Sequence, residues 1–259
     1  GGNFFMQRVL NRYRDELGVT ALRPELDAAA ARTIAHLQSE SAKLSISGAQ
    51  AAGGRLQANV SVENLSGHKL PTAYPSRRVW LHLTVRDRDG RTVFESGAPQ
   101  ANGAIQGNDN DADAAKFEPH HLTITSPDEV QIYESVMAGP DGALTTGLLT
   151  ALRFIKDNRL LPHGFDKRTA DKDIAVVGPA AEDADFTSGG DKLLLDVATG
   201  GAQGPFTLDA ELWYQPIGYR WAENLRKYDA FEPRRFNGYY DAMGGASGVV
   251  LARTSATAR

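Results

Sequence analysis

Cysteine is absent from all 259 residues. That excludes disulfides, thiolate metal sites, a cysteine nucleophile and any haem tethered to this chain through a C-x-x-C-H motif. No run of about 18 apolar residues occurs, so no segment is long enough to cross a bilayer as a helix. No charged-then-apolar leader directs export. The excess of one sign of charge is small as well. With 28 Lys and Arg against 32 Asp and Glu the net charge is −4, and the basic residues are scattered, so neither nucleic acid nor an anionic membrane meets a basic stripe. A G-x-S-x-G elbow, a G-x-x-x-x-G-K-[ST] loop and an H-E-x-x-H pair are missing too, and enzymatic activity within this chain alone is not expected. The opening GGNFFMQRVL has no initiator methionine. That leaves two readings, an added leader or a missing upstream segment able to carry an export signal.

What is present suffices for a core, since 41% of the residues are hydrophobic. Phe4, Phe5, Val9, Leu10, Tyr13 and Leu17 recur at helical spacing before Gly18, predicting a helix over 4–17. A second helix starts near Pro24 and runs through ELDAAAARTIAHLQSESAKL, with Leu26, Ala30, Ile34 and Leu37 on one side. His36 lies beside that side and reads as a packing residue. From there the period becomes two. Leu56, Ala58, Val60 and Val62 alternate with polar neighbours, as do Val79, Leu81, Leu83 and Val85. Further strands are expected in RTVFES, HHLTIT, EVQIYESVM, ALRFIKDN, KLLLDVA and FTLDAELWYQP. YRWAENLRKY and EPRRFNGYYDAM read as helices, GVVLART as a last strand and SATAR as a frayed tail. Many strands without crossover helices argue for a mainly β, antiparallel sandwich of immunoglobulin-like or jelly-roll-like type. The division expected is a helical hairpin over 1–43 and a β-sandwich with carboxyl-terminal helices over 44–259.

The stretch ENLSGHKLPTAYPSRR, Glu63 to Arg78, places His68 next to Gly67 and two fixed-φ prolines, with Arg77 and Arg78 as permanent charges. An imidazole so held suits a metal or cofactor ligand, or a turn in which it only bonds backbone. His120 and His121 in EPHH point to opposite faces if they lie in a strand, so they do not share one metal, though one of them can reach a cofactor edge. His82 and His163 carry no assigned role. Asp109, Asp111 and Asp113 have the alternate spacing of a calcium loop, but the later ligands are missing, and Glu182, Asp183, Asp185 and Asp191 form a second acidic candidate. Either offers a hard cation oxygen ligands. Trp213, Tyr214, Tyr219, Trp221, Tyr228, Tyr239 and Tyr240 would stack on sugar rings if exposed, which makes a carbohydrate- or protein-binding sandwich module the rival reading.

NLSGHKLPTAYPSRRVWLHLTVRDRDGRTVFESG resembles the N…GH-x-L-P-T-G-x-P-x-R…W-L segment in the carboxyl-terminal, sandwich-like domains of multihaem c-type cytochromes. EPHHLTI, QIYESVM, KDNRLLPHGFDK, DADFTSGGD and the leading GGNFFM…LNRYRDELGV are similar as well, so the resemblance covers most of the chain. It implies an electron-transfer module in which residues 1–43 continue a haem-bearing region. His68 would be a distal haem-iron ligand, Gly67 would allow close approach of the macrocycle, and Arg77 or Arg78 would lie near the propionates. Ala73 stands where the family often has glycine. Without cysteine here, the haem c would belong to an upstream segment or a partner subunit, with a redox protein as the further partner. A periplasmic or extracellular location follows from the same resemblance.

Overall fold

The structure, a computed structural model, describes residues 3–259. Helix α1 (Phe4–Arg12) is capped by Asn3, whose side chain accepts from the Met6 amide at 3.0 Å. It stops short of the predicted Leu17. Arg14 donates to the carbonyls of Val19 and Ala21, which holds residues 13–18 in turns, and Gly18 supplies a φ of +62°. Helix α2 (Arg23–Glu40) begins with the Glu25 carboxylate accepting from the Leu22 amide at 3.0 Å. Asn11 clips the two helices together through Asp27 at 2.6 Å.

The second helix ends at Glu40, before the predicted Leu44, and strand β1 (Ala42–Ala52) starts at once. The expected boundary at residue 43 therefore falls inside a strand. β1 pairs antiparallel with β2 (Arg55–Asn64), and the register slips between Ser47 and Gln50, where Gly48 has φ +63°. β2 pairs in turn with β10 (Gly190–Ala198), and the two-residue β5 (Thr123–Ile124) adds in parallel at the far edge of β10. The facing sheet has the order β12 (Val249–Ala258), β11 (Phe206–Gln215), β3 (Arg78–Arg86), β4 (Thr92–Ser96), with β6 (Ile132–Tyr133) also on β3. A small third sheet joins β8 (Leu144–Thr145), β7 (Ser135–Ala138) and β9 (Arg153–Asp157). The expected mainly β sandwich with helices at both ends is what the chain forms.

The core lies between the two large sheets. Leu56, Val60, Leu193 and Leu195 of one share a single apolar cluster with Leu81, Leu83, Leu208 and Leu212 of the other. Phe4 and Phe5 are fully buried in the same cluster, so α1 belongs to the sandwich core. On the outer face of β3, Trp80 stacks on Trp213 at 5.7 Å and is covered by Ile105, Val130 and Ile132.

Several expectations need correction. EPHH is irregular, and only Thr123–Ile124 of HHLTIT pairs. EVQIYESVM breaks at Glu134 into β6 and β7. SATAR is not frayed, because β12 runs to a buried Ala258 and the Arg259 carbonyl accepts from the Ala51 amide at 3.1 Å. Between β4 and β5 lies the short α3 (Asp109–Ala112), and beyond β11 come α4 (Tyr219–Glu223), which packs on α3, and α5 (Phe231–Met243), which packs on α4. Among the described residues no helix is long and apolar enough to cross a membrane.

Candidate functional site

The turn after β2 is built on Asn64, which is fully buried. Its Nδ2 donates to the carbonyls of His68 (2.8 Å) and Leu160 (3.0 Å), and its Oδ1 accepts from the Ser66 amide (2.9 Å). Leu70 and Leu160 exchange two backbone bonds of 2.9 Å. Lys69 donates to Asp157 at 2.8 Å and to the Ala175 carbonyl at 3.2 Å; burial lowers its pKa while Asp157 opposes that shift. The backbone on both sides of His68 is therefore anchored. Its ring is exposed, and among the described residues neither ring nitrogen has a hydrogen-bond partner. Asn64→Ala is expected to cost about 2–3 kcal/mol in urea unfolding, because buried backbone groups lose their partners together.

His68 opens into a groove of about 700 Å³ between this turn and α2. Arg32 and His36 line it from the helix, Arg77 and Thr72 from the turn and Tyr214 from β11, and among the described residues no carboxylate lines it. Arg77 Nη1 donates to the Thr72 carbonyl at 2.9 Å. Gly67 has no positive φ, and a Cβ built there would meet nothing within 4 Å, so open space lies against it. Ala73 takes the left-handed φ of +65° that glycine accepts more readily.

Arg78 does not join Arg77 in this groove. Adjacent residues entering a strand point to opposite faces, and Arg78 is buried with Nη1 on Asp111 (2.8 Å), Nε on Gln215 (2.7 Å) and Nη2 on the Gly103 carbonyl (3.2 Å). Burial alone would lower its pKa, and Asp111 outweighs that and raises it. This pairing also corrects the calcium expectation. Asp111 spends Oδ1 on Arg78 and Oδ2 on the Ile105 amide (2.8 Å), while Asp109 and Asp113 are exposed and Asp113 caps the Ala115 amide. The three carboxylates do not converge.

His120 and His121 do not reach the groove either. His121 is bound to Glu118 at 2.7 Å. His120 is buried edge-on against Phe186, with ring centroids 5.2 Å apart, and its Nε2 lies 2.9 Å from Asp183 Oδ2. Gln131 and Asn158 present amino groups to its Nδ1 at 2.9 and 3.1 Å. Their carbonyl ends accept from the His121 and Glu134 amides, which fixes both side-chain amides. Nδ1 is therefore the acceptor and Nε2 carries the proton. Tyr133 donates to Asp191 Oδ2 at 2.7 Å. Burial pushes the pKa of His120 down and those of Asp191 and Tyr133 up. In the second acidic stretch Glu182 and Asp185 are exposed, while Asp183 and Asp191 turn inward. His163 is exposed beside Glu63, and His82 sits between Glu95 (3.0 Å) and Glu211 (3.2 Å) on the outer sheet face.

The late aromatic residues weld elements together. Tyr240 packs on Phe5 (5.6 Å), Tyr239 on Tyr13 (4.1 Å) and Trp213 on Trp80, and Tyr214 is buried. Tyr219 and Trp221 are partly buried, Trp221 tilted against the half-exposed Tyr74 at 5.4 Å, and Tyr228 is half exposed, so the late rings are not gathered on one exposed face. His36, read from the sequence as a packing residue, is exposed and lines the groove.

No family model matches this sequence. A search of curated proteins finds no match. Among solved structures the chain is similar to a penta-heme cytochrome c552 from Thermochromatium tepidum, with 16% identity and a TM-score of 0.49 over 86% of this chain. The match spans 41% of that cytochrome chain.

Proposed function

We propose that this chain is a non-catalytic module of a multihaem c-type cytochrome, whose groove receives the edge of a haem carried by another segment or subunit. The carrying observation is the His68 ring, exposed and without a partner on an anchored backbone. His68 would hold the iron. Arg32 and Arg77 would face its two carboxylates, and Gly67, which does not itself line the groove, would put no side chain beside the imidazole. The groove volume falls within the range of about 300–1,000 Å³ typical of ligand pockets. A bound haem would supply reversible one-electron chemistry at its iron. This chain contributes orientation, positive charge against the carboxylates, and cover from water. A location outside the cytoplasm and a docking face for a further redox protein belong to the same proposal, as does the continuation of residues 1–43 from a haem-bearing region.

A haem c peptide with one open axial position tests the reading. Titrating it with this protein is expected to give the low-spin bis-histidine spectrum, which His68→Ala abolishes and His36→Ala retains. The exposed His68 should make that substitution nearly neutral for stability, within about 0.5 kcal/mol. Loss of the spectrum in His36→Ala with retention in His68→Ala overturns the assignment.

A further inference from the structure

The inward-facing row of β11 runs through Leu208, Ala210 and Leu212 and ends at Tyr214, which is 6% exposed and lines the groove. Its ring is tilted against Phe4 of α1, and one turn further along that helix Gln7 lines the same groove. Both polar ends are idle. Gln7 Oε1 is buried without a partner, and among the described residues neither the Gln7 amino group nor the Tyr214 hydroxyl makes a hydrogen bond. A buried amide oxygen without a donor is uncommon and costly. The phenol that shares the groove does not supply one.

The charge around these two groups has one sign. Arg77 spends a single nitrogen on the Thr72 carbonyl, and among the described residues neither Arg77 nor Arg32 has a carboxylate partner in the groove. Burial pushes the Tyr214 pKa up while the Arg77 guanidinium opposes the rise, so the hydroxyl keeps its proton at neutral pH and remains a donor. The Gln7 amide, with neither end committed, can turn its amino group toward an acceptor without breaking an existing bond.

We propose that Gln7 and Tyr214 form the buried end of an anion subsite in this groove and hydrogen-bond one of the two haem carboxylates, with Arg77 supplying the charge. This rests on the haem reading above and names the residues that select a free carboxylate over its ester. A carboxylate only accepts, and here a phenol O–H, an amide N–H and a guanidinium N–H are all without an anionic partner. An ester is neutral and carries an alkyl group on one oxygen, so it leaves Arg77 without a counter-charge. Both residues are positioning residues, which hold the carboxylate edge while His68 holds the iron.

The test titrates the haem c peptide, with its haem carboxylates free or as the dimethyl ester, into the protein and reads the low-spin bis-histidine spectrum. Wild type is expected to bind the acid form about 10- to 100-fold more tightly than the ester. In Tyr214→Phe and in Gln7→Met that ratio should shrink about 10-fold, with the low-spin form still reached at saturation. Tyr228→Phe, outside the groove, should keep the wild-type ratio. In urea the midpoint of Tyr214→Phe should stay unchanged and that of Gln7→Met should stay or rise, since no existing hydrogen bond is lost; a structural role would lower both. Should either variant fail to fold, Gln7→Glu at pH 8 decides, because a like charge in the groove should turn the preference toward the ester. No low-spin spectrum with either form overturns the haem reading and this inference together. A low-spin spectrum with equal affinity for acid and ester, a ratio unmoved in either folded variant, or an unchanged preference in Gln7→Glu overturns this inference alone and leaves His68 as the ligand.

Discussion

Arg78→Met is expected to destabilise the protein by about 3–5 kcal/mol, the loss typical of a buried pair deprived of one partner. Arg78 and Asp111 have side chains 4% and 3% exposed, so water cannot replace the missing contact. The substitution strands the Asp111 carboxylate and also removes donors from Gln215 Oε1 and the Gly103 carbonyl. Adding Asp111→Leu should recover much of the loss, because an apolar pair of similar bulk carries no desolvation penalty. Urea unfolding of the four proteins of the cycle gives the coupling directly. Haem-peptide binding by Arg78→Met, measured well below its unfolding midpoint, should match wild type. Weakened binding there would restore Arg78 to the groove.

The second large effect is expected at Phe5. Phe5→Ala should cost about 3–5 kcal/mol, as for other large aromatic truncations in a packed core. Phe5 is fully buried and meets Tyr240 edge-on at 5.6 Å, while its neighbour Phe4 is tilted against Tyr214 at 6.3 Å. The amino-terminal helices are thereby locked to α5 and β11. A single cooperative unfolding transition moved to lower urea with an unchanged slope is the expected result. A loss below about 1 kcal/mol, or a separate early transition, would show the helical pair to be an independent unit.

The strands with clean alternation were readable from their residues. Leu56 to Val62 and Phe206 to Tyr214 bury one face at period two, and Val79 to Val85 shows the same apolar alternation although β3 is covered on its outer face as well, at Arg78, Trp80 and Thr84. β1 was hidden because an alanine-rich helix runs directly into Ala42–Ser47, and the helix-forming Ala-Lys-Leu masks the alternation of Leu44 and Ile46. β12 was underestimated because its Ser, Thr and Ala residues are weakly apolar, and they are ordered by pairing with β11. At the groove, His68 and Arg77 were legible from local turn chemistry. His36 was not, since its partner surface is supplied by a turn some thirty residues later. Arg78 was separable from Arg77 in principle, by the same alternation that parts neighbouring side chains in any strand. The convergence of His120 with Asp183 and Asp191 had no local signal at all, because loops bring them together across 63 residues or more.

The glycine bulge in β1 bears on how copies of this protein behave when crowded. A long outermost strand ordinarily exposes a row of unpaired amides and carbonyls, onto which a foreign strand can zip. Here the kink at Gly48 interrupts that row midway, and the Arg259 carbonyl is already joined to the Ala51 amide beyond it. Neither half offers a long flat template, so strand addition along this edge is expected to be disfavoured by backbone geometry alone.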